Sequence, residues 1–129
     1  MSGSKNTKTI PTIENTLNNK ERFDVEFLDE AKEFLRGLSR EERIEMVSNI
    51  DAAKKVVDSG LFKKVNKFIW EFRAKHNGKQ FRILSFWDKT RKSMVMATHG
   101  FIKKTQKVPP QEIKHAEQIM KKYYANKNN

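Results

Sequence analysis

The sequence predicts a single α+β domain, in the order strand, helix, helix, three-stranded antiparallel meander and C-terminal helix. Three observations predict this class: helical spacing of apolar residues in the first half, aromatic and β-branched segments between turn residues in the middle, and a second helical pattern at the end. A chain of 129 residues also suits one hydrophobic core rather than two.

The first 21 residues differ in composition from the rest of the chain. They are rich in Ser, Thr, Asn and Lys, and their apolar anchors are Ile10, Ile13 and Leu17. So little apolar surface does not offset the entropy lost on ordering. We therefore expect residues 1–21 to form a polar, mobile tail and residues 22–125 to form the folded domain.

The first half of the domain predicts a strand and two helices. Apolar and charged residues alternate over 23–27, which is typical of a strand. A first helix is predicted by the helical spacing of Leu28, Ala31, Phe34, Leu35 and Leu38. Ser39 and Glu42 have the spacing of a capping box at the start of a second helix. Its apolar stripe comprises Ile44, Val47, Ile50, Ala53 and Val57, with a stop at Ser59-Gly60, and we expect the two helices to form a hairpin.

The second half predicts the meander and the last helix. Aromatic and β-branched residues dominate 68–73, 81–87 and 94–98, and turn residues separate these segments at 76–79 and 88–91. Pro109-Pro110 then suits the first turn of a helix, which continues with the helical spacing of Ile113, Ala116 and Met120.

Charge and composition restrict the partners and the chemistry. Lys and Arg outnumber Asp and Glu by 27 to 16, a surplus of +11 that favours RNA, DNA or anionic lipid as partner. The sequence has no apolar run of about 18 residues and no apolar secretory signal, so we expect a cytoplasmic protein with no membrane segment. Without cysteine, and with its three histidines scattered, the chain is expected to use no metal and no cofactor.

Basic residues cluster around the meander. They flank its first turn and follow its last strand, and comprise Arg73, Lys75, Lys79, Lys103, Lys104 and Lys107. Such a cluster predicts a phosphate-binding surface. For each charge run taken alone, a solvated cationic face is the simpler interpretation.

Arg82 differs from these residues because it lies between Phe81 and Ile83 in an apolar strand. A guanidinium in such surroundings needs a carboxylate or a phosphate as partner. Glu71 and Asp88 are the candidate carboxylates, so a structural and a functional role stay equally open.

His99 and three aromatic residues are weaker candidates. His99 ends the last predicted strand just before Gly100, and a turn there would place the imidazole near the lysines for proton transfer. Hydrogen bonding that closes the strand is the simpler alternative. Trp70, Trp87 and Phe101 are able to stack on bases, although we favour a core position for Trp70.

Several motifs in the second half together resemble a known family. In order, they are Ile69-Trp70-Glu71-Phe72-Arg73, Phe81-Arg82-Ile83-Leu84, His99-Gly100-Phe101-Ile102-Lys103-Lys104-Thr105-Gln106-Lys107-Val108-Pro109, Glu112-Ile113 and Ala116. In order and spacing they resemble the HigB-like, phage-related branch of the RelE/ParE toxin superfamily. The resemblance implies a RelE-like fold.

The same resemblance implies a type II toxin that acts as a ribosome-dependent mRNA endonuclease, or mRNA interferase, and inhibits translation. Its partners would be mRNA, the ribosome and a cognate helix-turn-helix antitoxin. The implied reaction is a metal-independent attack of a ribose 2′-hydroxyl on the adjacent phosphate. That reaction needs a base, an acid for the leaving 5′-oxygen and cations for the developing charge.

The motif positions also imply roles for individual residues. Arg82 resembles the strand arginine that contacts the scissile phosphate, and Lys103 or Lys104 falls where relatives carry a basic catalytic residue. His99 is a candidate acid or a turn-organising residue. The expected RNA contacts are Arg73, Lys75, Gln106 and Lys107. The general base stays unassigned, since neither Tyr123 nor Tyr124 aligns with the C-terminal tyrosine of RelE.

Two other functions remain open. A ParE-like DNA gyrase inhibitor would share the fold, because one fold serves several functions. A non-catalytic RNA- or ribosome-binding module would use the basic sheet to bind phosphate without cleaving it. The H-G-F-x-K-K-T-Q-K cluster at 99–107 favours the ribonuclease.

Overall fold

The computed structural model describes residues 21–127, so the predicted tail lies outside the described residues except for Glu21. The elements are β1 (Asp24–Phe27), α1 (Asp29–Gly37), α2 (Arg40–Ala53), β2 (Phe62–Lys64), β3 (Trp70–His76), β4 (Lys79–Trp87), β5 (Met94–Lys103) and α3 (Pro110–Lys127). The predicted α+β class and the order of its elements are confirmed, and the fold is consistent with a RelE-like one. The short strand β2 was not predicted.

The five strands form one sheet in the order β1-β5-β4-β3-β2. Strand β1 is parallel to β5, and the other neighbouring strands are antiparallel, which confirms the predicted meander β3-β4-β5. Asn77 and Gly78 join β3 to β4 in a two-residue turn and both have positive φ, 50° and 80°. This backbone suits the twist of an antiparallel hairpin, and Asn and Gly adopt it at low cost.

Each face of the sheet carries its own apolar cluster. On one face, α1 and α2 cover a core that includes Phe23, Ala31, Met46, Ile50, Phe62, Phe72, Phe81, Ile83 and Val95. On the other face, α3 packs over Ile69, Leu84, Phe86, Met96 and Ala116. The part of this second face that lies beyond the apolar cluster carries the polar residues described below.

The two consecutive helices pack on different strands, α1 on β5 and α2 on β3, and Arg43 of α2 donates hydrogen bonds to the Leu35 and Leu38 carbonyls at the end of α1. Helix α2 also ends at Ala53 and not near Gly60. Its buried residues are Met46, Ile50 and Ala53, whereas Val57 lies beyond the helix with 85% of its surface exposed.

Strand β5 continues through the position where we expected a turn. It runs to Lys103, and the residue that shifts its register against β4 is Thr98, since Ser85 pairs with Ala97 and Leu84 pairs with His99. His99 therefore lies inside the strand, on the face covered by α3. Gly100 makes no turn; it is required because the Phe34 ring of α1 occupies the space of a Cβ atom, which would lie 2.2 Å from Phe34 Cδ2.

Candidate nucleic-acid interface

A polar groove of about 1070 Å³ lies between strand β2, the turn end of β3 and β4, and the segment 103–108 that leaves β5. Six cationic side chains line it: Lys63, Lys64, Arg73, Lys103, Lys104 and Lys107. Among the described residues that line the groove, Glu71 is the one carboxylate. The groove therefore carries a large local excess of positive charge, which attracts an anionic polymer.

Strand register explains why these residues share one face. Lys63 of β2 pairs with Glu71 of β3, and Gln80 of β4 pairs with Lys103 of β5. Side chains of paired residues point to the same side of a sheet, so these four groups converge. Beyond β5, the Thr105 hydroxyl donates a hydrogen bond of 2.7 Å to the Lys107 carbonyl and shapes the segment that carries Lys104 and Gln106.

A buried ion pair joins Glu71, which lines the groove, to Arg82, which lines a smaller cavity described below. Arg82 Nε is 3.0 Å from Glu71 Oε1, and only 3% and 5% of the two residues' surfaces are exposed. The Arg82 guanidinium also donates to Gln80 Oε1 at 2.8 Å and to the Phe81 carbonyl at 2.9 Å. Burial lowers the pKa of Arg82, and the adjacent Arg73 adds to this effect. Arg82 is thus paired with Glu71, one of the two expected carboxylates.

The two candidate catalytic lysines have different environments. Lys103 is partly buried at the end of β5, and burial lowers its pKa, with further lowering by Arg82 and Arg73 and an opposing effect of Glu71. Lys104, the next residue, is exposed. A lysine with a lowered pKa exchanges protons more readily near neutral pH, so Lys103 is the better candidate for proton transfer.

Arg73 and Lys75 divide between the groove and a neighbouring cavity. Arg73 lines both, and its Nη1 atom donates to the Ser59 carbonyl at 3.1 Å. Lys75 lines the smaller cavity of about 370 Å³, together with Arg82. Arg73 and Arg82 are directly paired across β3 and β4, and two like charges in this position repel each other unless an anion lies between them.

His99 lies under α3 and is not among the residues that line the groove. Its Nε2 atom is 2.8 Å from Glu112 Oε1, and its Nδ1 atom is 3.1 Å from the Thr98 hydroxyl. Burial lowers the pKa of His99, although Glu112 opposes this effect. The His115 ring lies edge-on at a centroid distance of 4.6 Å. These contacts join β5 to α3 and make His99 an anchor of the last helix.

The two C-terminal tyrosines contact the end of β4 that is remote from the groove. The Tyr123 hydroxyl donates to Asp88 Oδ2 at 2.5 Å, and the Tyr124 hydroxyl donates to the Trp87 carbonyl at 3.2 Å. Burial disfavours the ionised form of Asp88, but hydrogen bonds from Thr90 and Tyr123 outweigh it and hold the pKa of Asp88 well below its usual range. The tyrosines therefore fasten α3 to the sheet.

The aromatic candidates for base stacking also lie outside the groove. Trp70 stacks on Phe62 at a centroid distance of 4.9 Å, and Trp87 meets Phe23 edge-on at 5.2 Å. Both tryptophans pack against the core under α1 and α2, as we expected for Trp70. Phe101 packs against the apolar cluster under α3.

Two further findings concern membrane-spanning helices and metal sites. Between residues 21 and 127, no helix is both long and apolar enough to cross a membrane. In the same part of the chain, no group of three or more His, Cys, Asp or Glu side chains is arranged to hold a metal ion.

Lys63 and Lys64 are the cationic groove residues that the sequence did not predict. Two adjacent lysines in a three-residue strand gave no clear pattern.

A comparison with curated proteins finds no match. A family model described as phage-derived protein Gp49-like (DUF891) matches residues 33–121, which include every residue that lines the groove. The chain therefore belongs to this Gp49-like family of phage-derived proteins, which is part of the RelE/HigB-like toxin family.

Proposed function

We propose that this protein is a HigB-type type II toxin that cleaves mRNA on the translating ribosome. The observation that carries the proposal is the groove, in which six cations converge around Glu71, the carboxylate that pairs with the buried Arg82. Family membership supports a toxin, and the groove supports a nucleic acid as its target. Phosphate is the ligand that relieves the repulsion among these cations, because it places negative charge between them.

The mechanism we propose is attack of a ribose 2′-hydroxyl on the adjacent phosphate, as the family resemblance implies. Lys103 donates a proton to the leaving 5′-oxygen, because its lowered pKa makes it a stronger acid than an ordinary lysine. Arg73 and Lys104 stabilise the charge that develops on the phosphate. Gln106 and Lys107 bind the neighbouring RNA backbone from the segment that follows β5.

The structure supports altered roles for two of the residues that the resemblance singled out. Arg82 acts through its charge from beside the groove, because Glu71, Gln80 and the Phe81 carbonyl already hold its guanidinium. His99 holds α3 in place and takes no part in proton transfer, because it lies outside the groove. Lys75 contacts RNA that extends into the neighbouring cavity.

The protein also has an antitoxin partner in this proposal, as is usual for a toxin of this family. We expect a small helix-turn-helix protein encoded next to it. Co-production of that protein should restore growth to cells in which the toxin is induced.

The test is induction in cells, followed by mapping of the 5′ ends of cleaved transcripts. Wild-type protein should stop growth and cut translated reading frames, and Lys103→Gln should abolish both effects without loss of folding. The matched control is Lys32→Gln, which removes an exposed lysine of α1 on the opposite face of the sheet and should remain toxic. Trapped gyrase–DNA complexes would instead indicate a gyrase inhibitor, and growth arrest with intact transcripts would indicate a binding module.

A further inference from the structure

We infer that Glu71 is the general base that removes the proton from the attacking 2′-hydroxyl. This inference rests on the proposed ribonuclease function and assigns the one role that the sequence left open. It follows from the position of Glu71, from its incomplete pairing with Arg82 and from the chemistry that the reaction requires.

The position of Glu71 gives a groove ligand access to its carboxylate. Glu71 lies in the middle strand of the groove wall, between Lys63 on β2 and Leu84 on β4. It lines the groove although 95% of its surface is buried, as follows from its 5% exposure. The cations that face it come from every neighbouring strand, and comprise Lys63 of β2, Arg73 of β3, Arg82 of β4 and Lys103 of β5. From α3, Ile113 lines the same groove.

The pairing of Glu71 with Arg82 is incomplete. Arginine and carboxylate usually form parallel, well-aligned hydrogen bonds when they are buried together. Here the two atoms that approach within 3.0 Å, Arg82 Nε and Glu71 Oε1, are not aligned for a hydrogen bond. Within the described part of the chain, both atoms are buried and have no hydrogen-bond partner. The fully buried Oε1 is out of reach of a ligand, so a hydroxyl group brought by the substrate would bind the other carboxylate oxygen, Oε2, which makes no hydrogen bond to residues 21–127.

The arrangement also separates the base from the acid. Lys103 lies near enough to Glu71 for their charges to interact, yet no ion pair joins them among residues 21–127. Both side chains line the groove, and in this inference the scissile phosphate lies between them.

The reaction balances with these two groups. Glu71 accepts the proton of the 2′-hydroxyl while the 2′-oxygen forms a bond to phosphorus. The bond between phosphorus and the 5′-oxygen breaks, and Lys103 transfers a proton to that oxygen. The products are a 2′,3′-cyclic phosphate and a 5′-hydroxyl, and exchange with water returns both side chains to their starting forms.

The test is single-turnover cleavage of a defined mRNA on programmed ribosomes, measured over a range of pH. The wild-type rate should fall at alkaline pH as Lys103, whose pKa burial lowers, loses its proton. Glu71→Gln keeps the shape of the side chain but cannot accept the proton. We expect its rate to fall by about 10²–10⁴-fold across the pH range, with retention of the alkaline limb and of binding to the programmed ribosome. Glu33→Gln, at an exposed position of α1, is the matched control and should keep the wild-type profile.

Glu71→Asp separates catalysis from folding, because it keeps the negative charge beside Arg82. This variant should fold and cleave more slowly than wild type but faster than Glu71→Gln. A wild-type rate in either Glu71 variant, or equal rates of Glu71→Asp and Glu71→Gln in folded protein, would overturn the inference. Failure of the wild-type protein to cut any mRNA on ribosomes would instead overturn the proposed function.

Discussion

Substitution of Gly100 by alanine is expected to destabilise the protein through a single contact between α1 and β5. The added Cβ would lie 2.2, 2.5 and 2.6 Å from three ring carbons of Phe34. Carbon atoms pack at about 3.5–4.0 Å, so the ring must move by on the order of 1 Å. Overpacking of this kind costs about 1–3 kcal/mol. Alanine recovers about 0.5–1 kcal/mol relative to glycine within a strand.

The expected net loss is therefore about 0–2.5 kcal/mol in the free energy of unfolding, or up to roughly 10–15 °C in Tm. Urea and thermal unfolding followed by circular dichroism would measure it. The matched control is Gly37→Ala at the end of α1, where an added Cβ meets nothing within 4 Å. This control should be as stable as the wild-type protein or more stable by up to about 1 kcal/mol.

A double-mutant cycle with Phe34→Ala tests the cause of the effect. Removing the ring frees the space that the new methyl group needs, so Gly100→Ala should cost little in that background. We expect a coupling energy of about 1–3 kcal/mol between the two positions, equal to the cost of overpacking. An equal loss of stability in both backgrounds would refute the argument, because glycine would then be required for a reason other than Phe34.

Three other predictions concern the groove and the anchors of α3. If all six groove cations contact RNA phosphates, a plot of log affinity against log salt should have a slope of about −4. Lys104→Gln should reduce the magnitude of that slope by about 0.7, whereas Lys32→Gln should leave it unchanged. An affinity that does not depend on salt would contradict the claim that the groove binds RNA. Burial lowers the pKa of His99, so the folded protein binds a proton at this histidine less readily than the unfolded chain does. The stability that His99 contributes is therefore fully present above pH 6.5, its ordinary pKa, and is lost as the pH falls below that value. His99→Gln should therefore reduce the difference in Tm between neutral and mildly acidic pH, and the variant should still cleave RNA. Loss of cleavage in a folded variant would instead indicate that His99 is a catalytic residue. Tyr123→Phe removes the hydrogen-bond donor to Asp88 and should lower the free energy of unfolding by about 1.5–3 kcal/mol, without affecting RNA cleavage by the folded protein. An inactive variant of wild-type stability would instead place Tyr123 in the active site.

Local periodicity predicted most of the fold, and its errors occur where distant contacts decide the structure. The capping box of Ser39 and Glu42 is present because both of its hydrogen bonds are local. Val57 extends the apolar stripe of α2 in the sequence, yet no surface of the sheet covers it. Gly100 suggested a turn because glycine often marks one. Glycine is needed at position 100 because of the Phe34 ring, and no pattern near residue 100 indicates contact with a helix that lies far away in the sequence.

The same reasoning explains which groove residues the sequence predicted. Lys103, Lys104 and Lys107 lie close together along the chain, so their clustering was visible without a structure. Lys63 enters the groove through its pairing with Glu71, which depends on the register of β2 against β3. A strand of three residues is too short to show alternation, so neither the strand nor its register could be predicted.

Attraction of phosphate does not by itself explain why Glu71 lies in the groove. A groove that served only to bind phosphate would bind it more tightly without this carboxylate, because a negative charge repels the RNA backbone. The pair with Arg82 does not by itself account for the carboxylate, since a buried ion pair is often replaced as a whole by apolar residues without loss of stability, although loss of Glu71 alone would leave Arg82 buried without a partner. The proposed reaction needs a base and an acid beside the same phosphate, and Glu71 and Lys103 are able to fill these two roles. The presence of Glu71 among six cations therefore supports the proposal that the groove performs chemistry as well as binding.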